Sequence, residues 1–330
     1  MKAVDWKLLS PFLRAMNGVD EASVELLHIS PACRSYYVSF ENEDQTHRFP
    51  LVVKVYRQEE RASAIQEIKN LRWAEEVQKR ITSYGVKIPE LQWSNASLGM
   101  LATPWIPGRN LDTTLRSDSR IWSRHNSKEW NIKLLKLIEW LECFSRIDKK
   151  HSHSNPKDQW DDINWDKWTT WLAGANQFKE EWRKLVIPEL HNLREKVKQK
   201  GIEESFQHGD FAPWNVRFDS EGNLYVMDWE DLEIGSWLSP AYRFYFALRI
   251  YALSLLAKPG FYNSIYKNIA EFIEIHQPDE EVRRYYKSRA LLQYIKSFCR
   301  RPVRTPKSYR IKRFLLKELN IQIEPTLDDS

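Results

Sequence analysis

The stretch Phe206–Glu230 constrains this chain more than any other. Three polar residues, Asp210, Asn215 and Asp228, are set among apolar neighbours, with Asn215 five positions after Asp210 and Asp228 thirteen after Asn215. Between the last two the pattern predicts a hairpin: Val216–Phe218 run in, Asp219–Asn223 turn and Leu224–Met227 run out. A hairpin folds its ends together, so Asn215 and Asp228 converge at its open end. An amide oxygen and a carboxylate there are hard oxygen ligands of the kind Mg²⁺ takes. Asp210 supplies a second carboxylate that sits close to the metal without binding it. Such a set suits phosphoryl transfer, in which a protein mostly positions groups and neutralises charge.

Upstream, the sequence predicts a small sheet. Glu25–Ile29, Ser35–Phe40 and Phe49–Tyr56 read as three strands, the last two joined by the turn Glu41-Asn42-Glu43-Asp44, after a helical lead-in over residues 1–27 carrying Trp6, Leu9, Leu13 and Met16. The third strand is mostly apolar and β-branched, with Lys54 in its middle, and a lysine there is costly unless paired. A long helical pattern from Glu59 to Thr82 follows and contains Glu67. A strand lysine facing a helix glutamate gives a held ammonium that can bind nucleotide phosphates. The plainer alternative is an edge-strand lysine and a solvated glutamate. Leu91–Trp93 and Gly99–Ala102 read as two further strands.

Thr103-Pro104-Trp105-Ile106-Pro107-Gly108 breaks the pattern and marks a lobe boundary. This predicts an N-lobe over 1–103, a hinge at 104–108 and a helical C-lobe over 109–330. Trp130–Arg146 is amphipathic; Asn164–Lys200 reads as one or two helices interrupted near Pro188; Ala241–Leu256, Tyr262–Ile275 and Glu280–Cys299 complete the helical set. At 330 residues the chain exceeds a single core, in keeping with two lobes. Lys and Arg total 50 against 45 Asp and Glu, a net +5 that weakly favours anionic ligands and is too small to imply nucleic acid. Three widely spaced cysteines indicate neither a disulfide framework nor a zinc site, and fit a reducing, cytoplasmic setting. The N-terminal residues do not read as a signal peptide, and no apolar run is long enough to span a bilayer.

His208-Gly209-Asp210, then Asn215, then Asp228-Trp229-Glu230 after a hairpin, with Lys54 and Glu67 upstream, resembles the aminoglycoside phosphotransferase and choline kinase superfamily. The resemblance runs from about residue 20 to 270. It implies an α+β, bilobal protein-kinase-like fold: a small antiparallel-sheet N-lobe with one long helix and a large, mainly helical C-lobe. It also implies an ATP- and Mg²⁺-dependent transfer of the γ-phosphate to a small-molecule hydroxyl, on a sugar, an aminoglycoside-like compound or an amino alcohol. In that scheme Asp210 is the catalytic base, Asn215 and Asp228 hold Mg²⁺, and Lys54, steadied by Glu67, contacts the phosphates. Adenine lies against backbone near Thr103–Trp105, Glu230 assists a second metal or the substrate, and His208 is scaffold.

The chain departs from related patterns in several places. The turn Ile29–Ser35 has no glycine, where protein kinases use a glycine-rich loop over the phosphates, so the hydroxyls of Ser30 and Ser35, or Arg34, are the candidates to stand in. Ala212 replaces the lysine that protein kinases carry two residues after the catalytic Asp, Asp-Trp-Glu replaces Asp-Phe-Gly, and no activation segment is recognisable. Gly235–Ala241 lacks the acid that many aminoglycoside phosphotransferase relatives carry at the start of the next helix. Two alternatives follow: a pseudokinase or binding module without turnover, and a kinase for a glycan or other large acceptor. For the acceptor, Trp165, Trp168 and Trp171 with Trp160 offer indole faces, and Asp161, Asp162 and Asp166 offer charge; helix packing and a solvated acidic turn are the commoner uses of such patterns. His151-Ser152-His153 reads as polar loop. The basic run over 300–317, beside Phe314-Leu315-Leu316, would suit a membrane surface or an anionic glycan; a basic helix packing its apolar side on the large lobe is the ordinary reading.

Overall fold

A computed structural model describes residues 5–16, 22–40, 50–81, 85–121, 123–124, 127–147, 169–175, 178–202, 205–219, 221–253, 257–258, 260–299 and 306–323. The chain divides into two compact units. One takes residues 1–109 with 215–232, the other 110–214 with 233–330.

The first unit begins with α1 (Trp6–Ala15), β1 (Ala22–Ile29), β2 (Cys33–Phe40) and β3 (Leu51–Tyr56), then α2 (Arg61–Gln78), β4 (Val86–Lys87), β5 (Trp93–Asn95), β6 (Met100–Pro104) and β7 (Gly108–Asn110). Five strands form an antiparallel sheet in the order β1-β2-β3-β6-β5. Side chains alternate faces along a strand, and β3 uses both. Leu51, Val53 and Val55 pack with Tyr36, Val38, Met100 and Ala102 against Leu9, Phe12 and Leu13 of α1. Cys33, Tyr56 and Leu101 pack instead with Ala64 and Ile68 of α2. The buried stripe of α2 runs Ala64, Glu67, Ile68, Leu71, Ala74 and Val77, so Glu67 is carried inward by the same helical spacing that buries its apolar neighbours.

The expected hairpin is β9 (Val216–Asp219) and β10 (Leu224–Val226), paired Val216↔Val226 through Phe218↔Leu224. Asp219 shapes its turn: Oδ1 accepts from the amides of Glu221 (3.0 Å) and Asn223 (2.9 Å). The hairpin joins a second sheet, ordered β4-β10-β9-β7, in which β10 runs parallel to β4. The turn 41–44 lies outside the described residues.

The second unit is mainly helical. Its elements are α3 (Leu111–Asp118), α4 (Ser127–Ile147), α5 (Glu180–Gln199), β8 (Ser205–His208), β11 (Leu232–Gly235), α6 (Leu238–Ala252), α7 (Phe261–His276), α8 (Glu280–Cys299) and α9 (Pro306–Ile323). β8 and β11 pair. Helix α6 is buried on nearly every side and packs on α7 and α8, while α5 and α9 pack on α8. The interruption expected near Pro188 does not occur: α5 is continuous from Glu180 to Gln199. A proline inside a helix costs about 3 kcal/mol through its missing N–H and ring clash. Here Val186, Leu190, Leu193 and Val197 are buried on both sides of it, and their packing carries the helix through.

The basic run from Pro306 onward lies in α9. Ile311, Leu315 and Leu319 are buried at helical spacing, and Glu318 pairs with Arg249 of α6 at 2.8 Å. The apolar side of α9 is therefore covered by its own unit. Arg300, Arg301 and Arg304 lie outside the described residues, as do His151–His153, Trp160, Trp165, Trp168 and the acids at 161, 162 and 166. Trp171 packs edge-on against Phe178, with ring centres 6.2 Å apart. No described helix is long and apolar enough to cross a membrane.

Gly108 is where β7 meets β9. A methyl group there would sit 1.8 Å from the carbonyl oxygen of Phe218, and main chain cannot swing aside as a side-chain tip can. Gly108→Ala should destabilise the protein by at least about 2 kcal/mol, the scale of core overpacking, measured by urea unfolding. An unchanged urea midpoint would mean that β7 is not held against β9.

Candidate functional site

Each unit carries a cluster of functional groups. In the first, Lys54 is the centre. Its ammonium donates to Glu67 Oε1 at 2.7 Å and to Asp228 Oδ1 at 2.7 Å. Burial acts to lower the proton affinity of Lys54, but the two carboxylates outweigh it and hold the group well above the ordinary lysine range. The lysine is thus a permanent cation, held between a buried helix carboxylate and a half-exposed one at the end of the hairpin.

Tyr56 lies two residues after Lys54, on the same face of β3. Its hydroxyl donates to Glu67 Oε2 at 2.5 Å, so both oxygens of Glu67 are engaged, and it lies 3.3 Å from Glu230 Oε2. Burial, then the charge of Glu67, push the phenol far above its usual range. Burial, then repulsion from Glu67 and Asp228, raise Glu230. Asn70, one turn beyond Glu67 on α2, donates its amide to the carbonyls of Trp229 (2.8 Å) and Glu230 (2.9 Å). The Trp229 side chain is buried, and its indole donates to the Val226 carbonyl at 2.9 Å.

These contacts hold Asp228 in a costly conformation. Among the described residues it is the one non-glycine with positive φ, at 65°. Such a residue costs on the order of 1–3 kcal/mol and persists where its surroundings over-determine it. Asn215 is brought to the same end of the hairpin, because its carbonyl accepts from the Met227 amide at 2.8 Å. An amide and a carboxylate fit Mg²⁺, which takes few protein oxygens and completes its shell from phosphate and water. Among the described residues no group of three or more His, Cys, Asp or Glu is arranged to hold a metal alone.

The other expected nucleotide contacts are placed as follows. Ser35 is the β2 residue opposite Lys54. The Ser30 hydroxyl is used within its own turn: it accepts from the amides of Ala32 (3.2 Å) and Cys33 (2.9 Å) and donates to the Cys33 carbonyl at 3.1 Å. Thr103 is buried in β6 opposite Val52. The Trp105 amide donates to the Pro50 carbonyl at 2.6 Å, and its ring lies under the Arg217 guanidinium (4.6 Å) and edge-on to Tyr37 (5.3 Å).

In the second unit, Asp210 follows β8. Its amide donates to His208 Nδ1 at 3.2 Å, so the His208 ring is turned onto the main chain. The Trp214 indole donates to Asp210 Oδ2 at 3.2 Å, and Arg243 Nη1 of α6 lies 3.7 Å from Oδ1. Asn110, at the start of α3, donates to the Trp214 carbonyl at 2.6 Å. Buried Phe211 packs on Phe244 (5.5 Å) and His208 (6.0 Å), which ties the loop to α6. The carboxylate is 38% exposed, open enough to meet a substrate.

Comparison with known proteins gives the family and the fold. The model of the phosphotransferase enzyme family (APH) matches residues 34–252, well over half of the chain. The chain belongs to the phosphotransferase enzyme family. Among solved structures, the gentamicin complex of the aminoglycoside phosphotransferase APH(2")-IIa is similar over 97% of each chain, with 15% identity and a TM-score of 0.56. The choline kinase LicA from Streptococcus pneumoniae is similar over 96% of this chain and 98% of its own, with 14% identity and a TM-score of 0.56. The aminoglycoside phosphotransferase APH(4)-Ia, in a thermostable mutant form, covers 97% and 98% with 11% identity and a TM-score of 0.58. No curated protein matches. At these identities the structural neighbours show the fold: the kinase-like, bilobal α+β architecture expected from the sequence.

The sequence pattern pairs Lys54 with Glu67 but does not single out Tyr56, Asn70 or Arg243. The two-residue spacing of Lys54 and Tyr56 on one strand was the available signal for the first. Asn70 follows Glu67 by one turn on α2 and was legible only as a helix position. Nothing local to Arg243 marks it.

Two outcomes follow from this geometry. Tyr56→Phe removes the donor to a buried carboxylate oxygen and should cost about 1–3 kcal/mol of stability, read by urea unfolding; a loss under about 0.5 kcal/mol would remove Tyr56 from the network. Glu230 is raised from 4.5 by folding, so folding favours its protonated form. That contribution is complete at low pH and is lost as pH rises through the raised value. Glu230→Gln should therefore melt like wild type near pH 4 and gain over it progressively toward neutrality. A pH-independent difference by calorimetry would contradict this.

Proposed function

We propose that this protein transfers the γ-phosphate of ATP to a hydroxyl group of a small molecule, with Mg²⁺. The observation that carries the reading is the Lys54 ammonium held 2.7 Å from both Glu67 and Asp228, with Asn215 at the same hairpin end. A held cation beside two oxygen ligands is what a nucleotide triphosphate needs. Bound Mg²⁺ would neutralise phosphate charge; Asn215 and Asp228 are the residues to hold it. Lys54 binds phosphate oxygens, Glu67 and Tyr56 keep it in place, and the backbone at Thr103–Trp105 receives the base. Structures of APH(2")-IIa with streptomycin and ATP, and of LicA with AMP, support adenine nucleotide use.

Asp210 is the base. It orients the acceptor hydroxyl and takes its proton as the acceptor oxygen bonds to the γ-phosphorus and the bond to the bridging oxygen of ADP breaks. Its partners suit that role, since Trp214 fixes one oxygen and His208 fixes the main chain. Gentamicin, streptomycin and choline, named for the neighbours, support a hydroxylated small molecule as the acceptor. The cytoplasm, where ATP is plentiful and thiols such as Cys33 and Cys143 stay reduced, is the setting this reading implies.

One observation favours a second reading, nucleotide binding without turnover. The 30–35 turn has no glycine and consumes the Ser30 hydroxyl internally. A phosphate-transfer assay separates the two. Wild type with Mg·ATP and a panel of sugars and amino alcohols should release ADP in step with phosphorylated acceptor, and Asp210→Asn should lower the rate by about 10²–10⁴-fold. Acceptor-independent ADP release at equal rates in both proteins, or none in either, would favour the second reading.

A further inference from the structure

Arg243 is the residue that the proposed chemistry does not use. It sits in the first turns of α6, beside Phe244, whose ring packs on Phe211 of the loop. Its carbonyl accepts from the Tyr294 hydroxyl at 2.9 Å, so its main chain is anchored to α8. Its side chain is 19% exposed, and Nη1 stops 3.7 Å from Asp210 Oδ1, beyond hydrogen-bond length. Among the described residues the guanidinium makes no hydrogen bond shorter than that approach. A guanidinium carries five N–H donors in a planar fork, and the one ion pair to Asp210 leaves most of that fork to water or to a ligand.

The surroundings say what would fill it. The Trp214 indole N–H takes the other oxygen of Asp210, and Trp214 is 40% exposed. A fixed cationic fork, an indole face and a carboxylate base thus lie together within one unit. A cationic acceptor brought to Asp210 would meet Arg243 as a like charge. An oxyanion would accept the fork bidentately, the geometry that guanidinium groups favour. Net charge at the pair is zero, so an anion is not turned away by Asp210 alone.

We propose that the acceptor carries an oxyanion, a carboxylate or phosphate, close to the hydroxyl that is phosphorylated, and that Arg243 binds it. The proposal rests on the reading of Asp210 as the base, and it names the acceptor class: anionic hydroxy compounds such as sugar acids or sugar phosphates, rather than amino sugars or quaternary amino alcohols. Arg243 is then a specificity-determining residue, contributing to acceptor KM more than to kcat.

The test uses the full chain labelled with ¹⁵N at its tryptophan indoles, with the Trp214 resonance assigned by its loss in Trp214→Phe. It is titrated with inorganic phosphate and with three sugars on one ring, glucuronate, glucose and glucosamine. Phosphate and glucuronate should shift the Trp214 indole saturably, glucose and glucosamine should not, and Arg243→Gln should weaken both anions at least tenfold. The remaining indole resonances report whether Arg243→Gln stays folded, and Arg243→Lys should retain part of the response. Three results would overturn the proposal: no anion response, a response as strong in Arg243→Gln, or glucosamine binding in preference to glucuronate. A response to phosphate with glucuronate no better than glucose would assign Arg243 to the phosphoryl group in transit, which also overturns it. An anion response that depends on Arg243 in a protein that never turns over ATP would sink the kinase reading and leave the anion seat standing.

Discussion

Everything in the first unit depends on one ammonium held between two carboxylates. Lys54 sits on a strand whose other face is an apolar core, so its charge has to be satisfied on the α2 side. Glu67 provides this from within the buried stripe of a helix, and Asp228 from the end of a hairpin, 174 residues after Lys54. A surface ion pair contributes little to stability. This one is different in kind: breaking it would leave Glu67 buried with an unpaired charge, which is strongly destabilising. The arrangement is stable only when all three members are present. That is also the condition under which the group is ready to meet phosphate.

The supporting network follows from that constraint. Tyr56 occupies the second oxygen of Glu67, so the carboxylate cannot rotate away from Lys54 without losing a bond. Asn70 and the buried Trp229 fix the main chain on the far side of Asp228 and hold that residue at positive φ. Local strain at Asp228 is thus matched by contacts from α2 and β10. The second unit uses a different device. Asp210 is oriented by hydrogen bonds from Trp214 and through His208, and its loop is packed onto α6 by Phe211. The acid expected at the start of that helix is absent. Arg243, near the same point, brings a positive charge to Asp210 instead.

What could be read in the sequence was what depends on periodicity and spacing. The hairpin from Val216 was legible because its strands alternate and Asp219–Asn223 is rich in turn formers. Lys54 stood out because a charge inside a β-branched strand demands a partner. The course of α5 through Pro188 was not legible, because local propensity argued against it and burial of Val186 and Leu190 decided it. The pairing of β4 with β10 was equally hidden, since a two-residue strand has no pattern. Arg243 was hidden for a third reason: its meaning lies wholly in a contact with Asp210 from another element.

If Lys54 and Asp228 form a magnesium-dependent nucleotide site, calorimetry can see it without knowledge of the acceptor. ATP is titrated into the full chain, with Mg²⁺ and with EDTA, for wild type, Lys54→Met and Asp228→Asn. Binding should be saturable, should need Mg²⁺ and should fall at least about tenfold, or about 1.4 kcal/mol, in each variant. Equal affinity in EDTA, or variants that bind as well as wild type, would contradict a nucleotide site built on this pair.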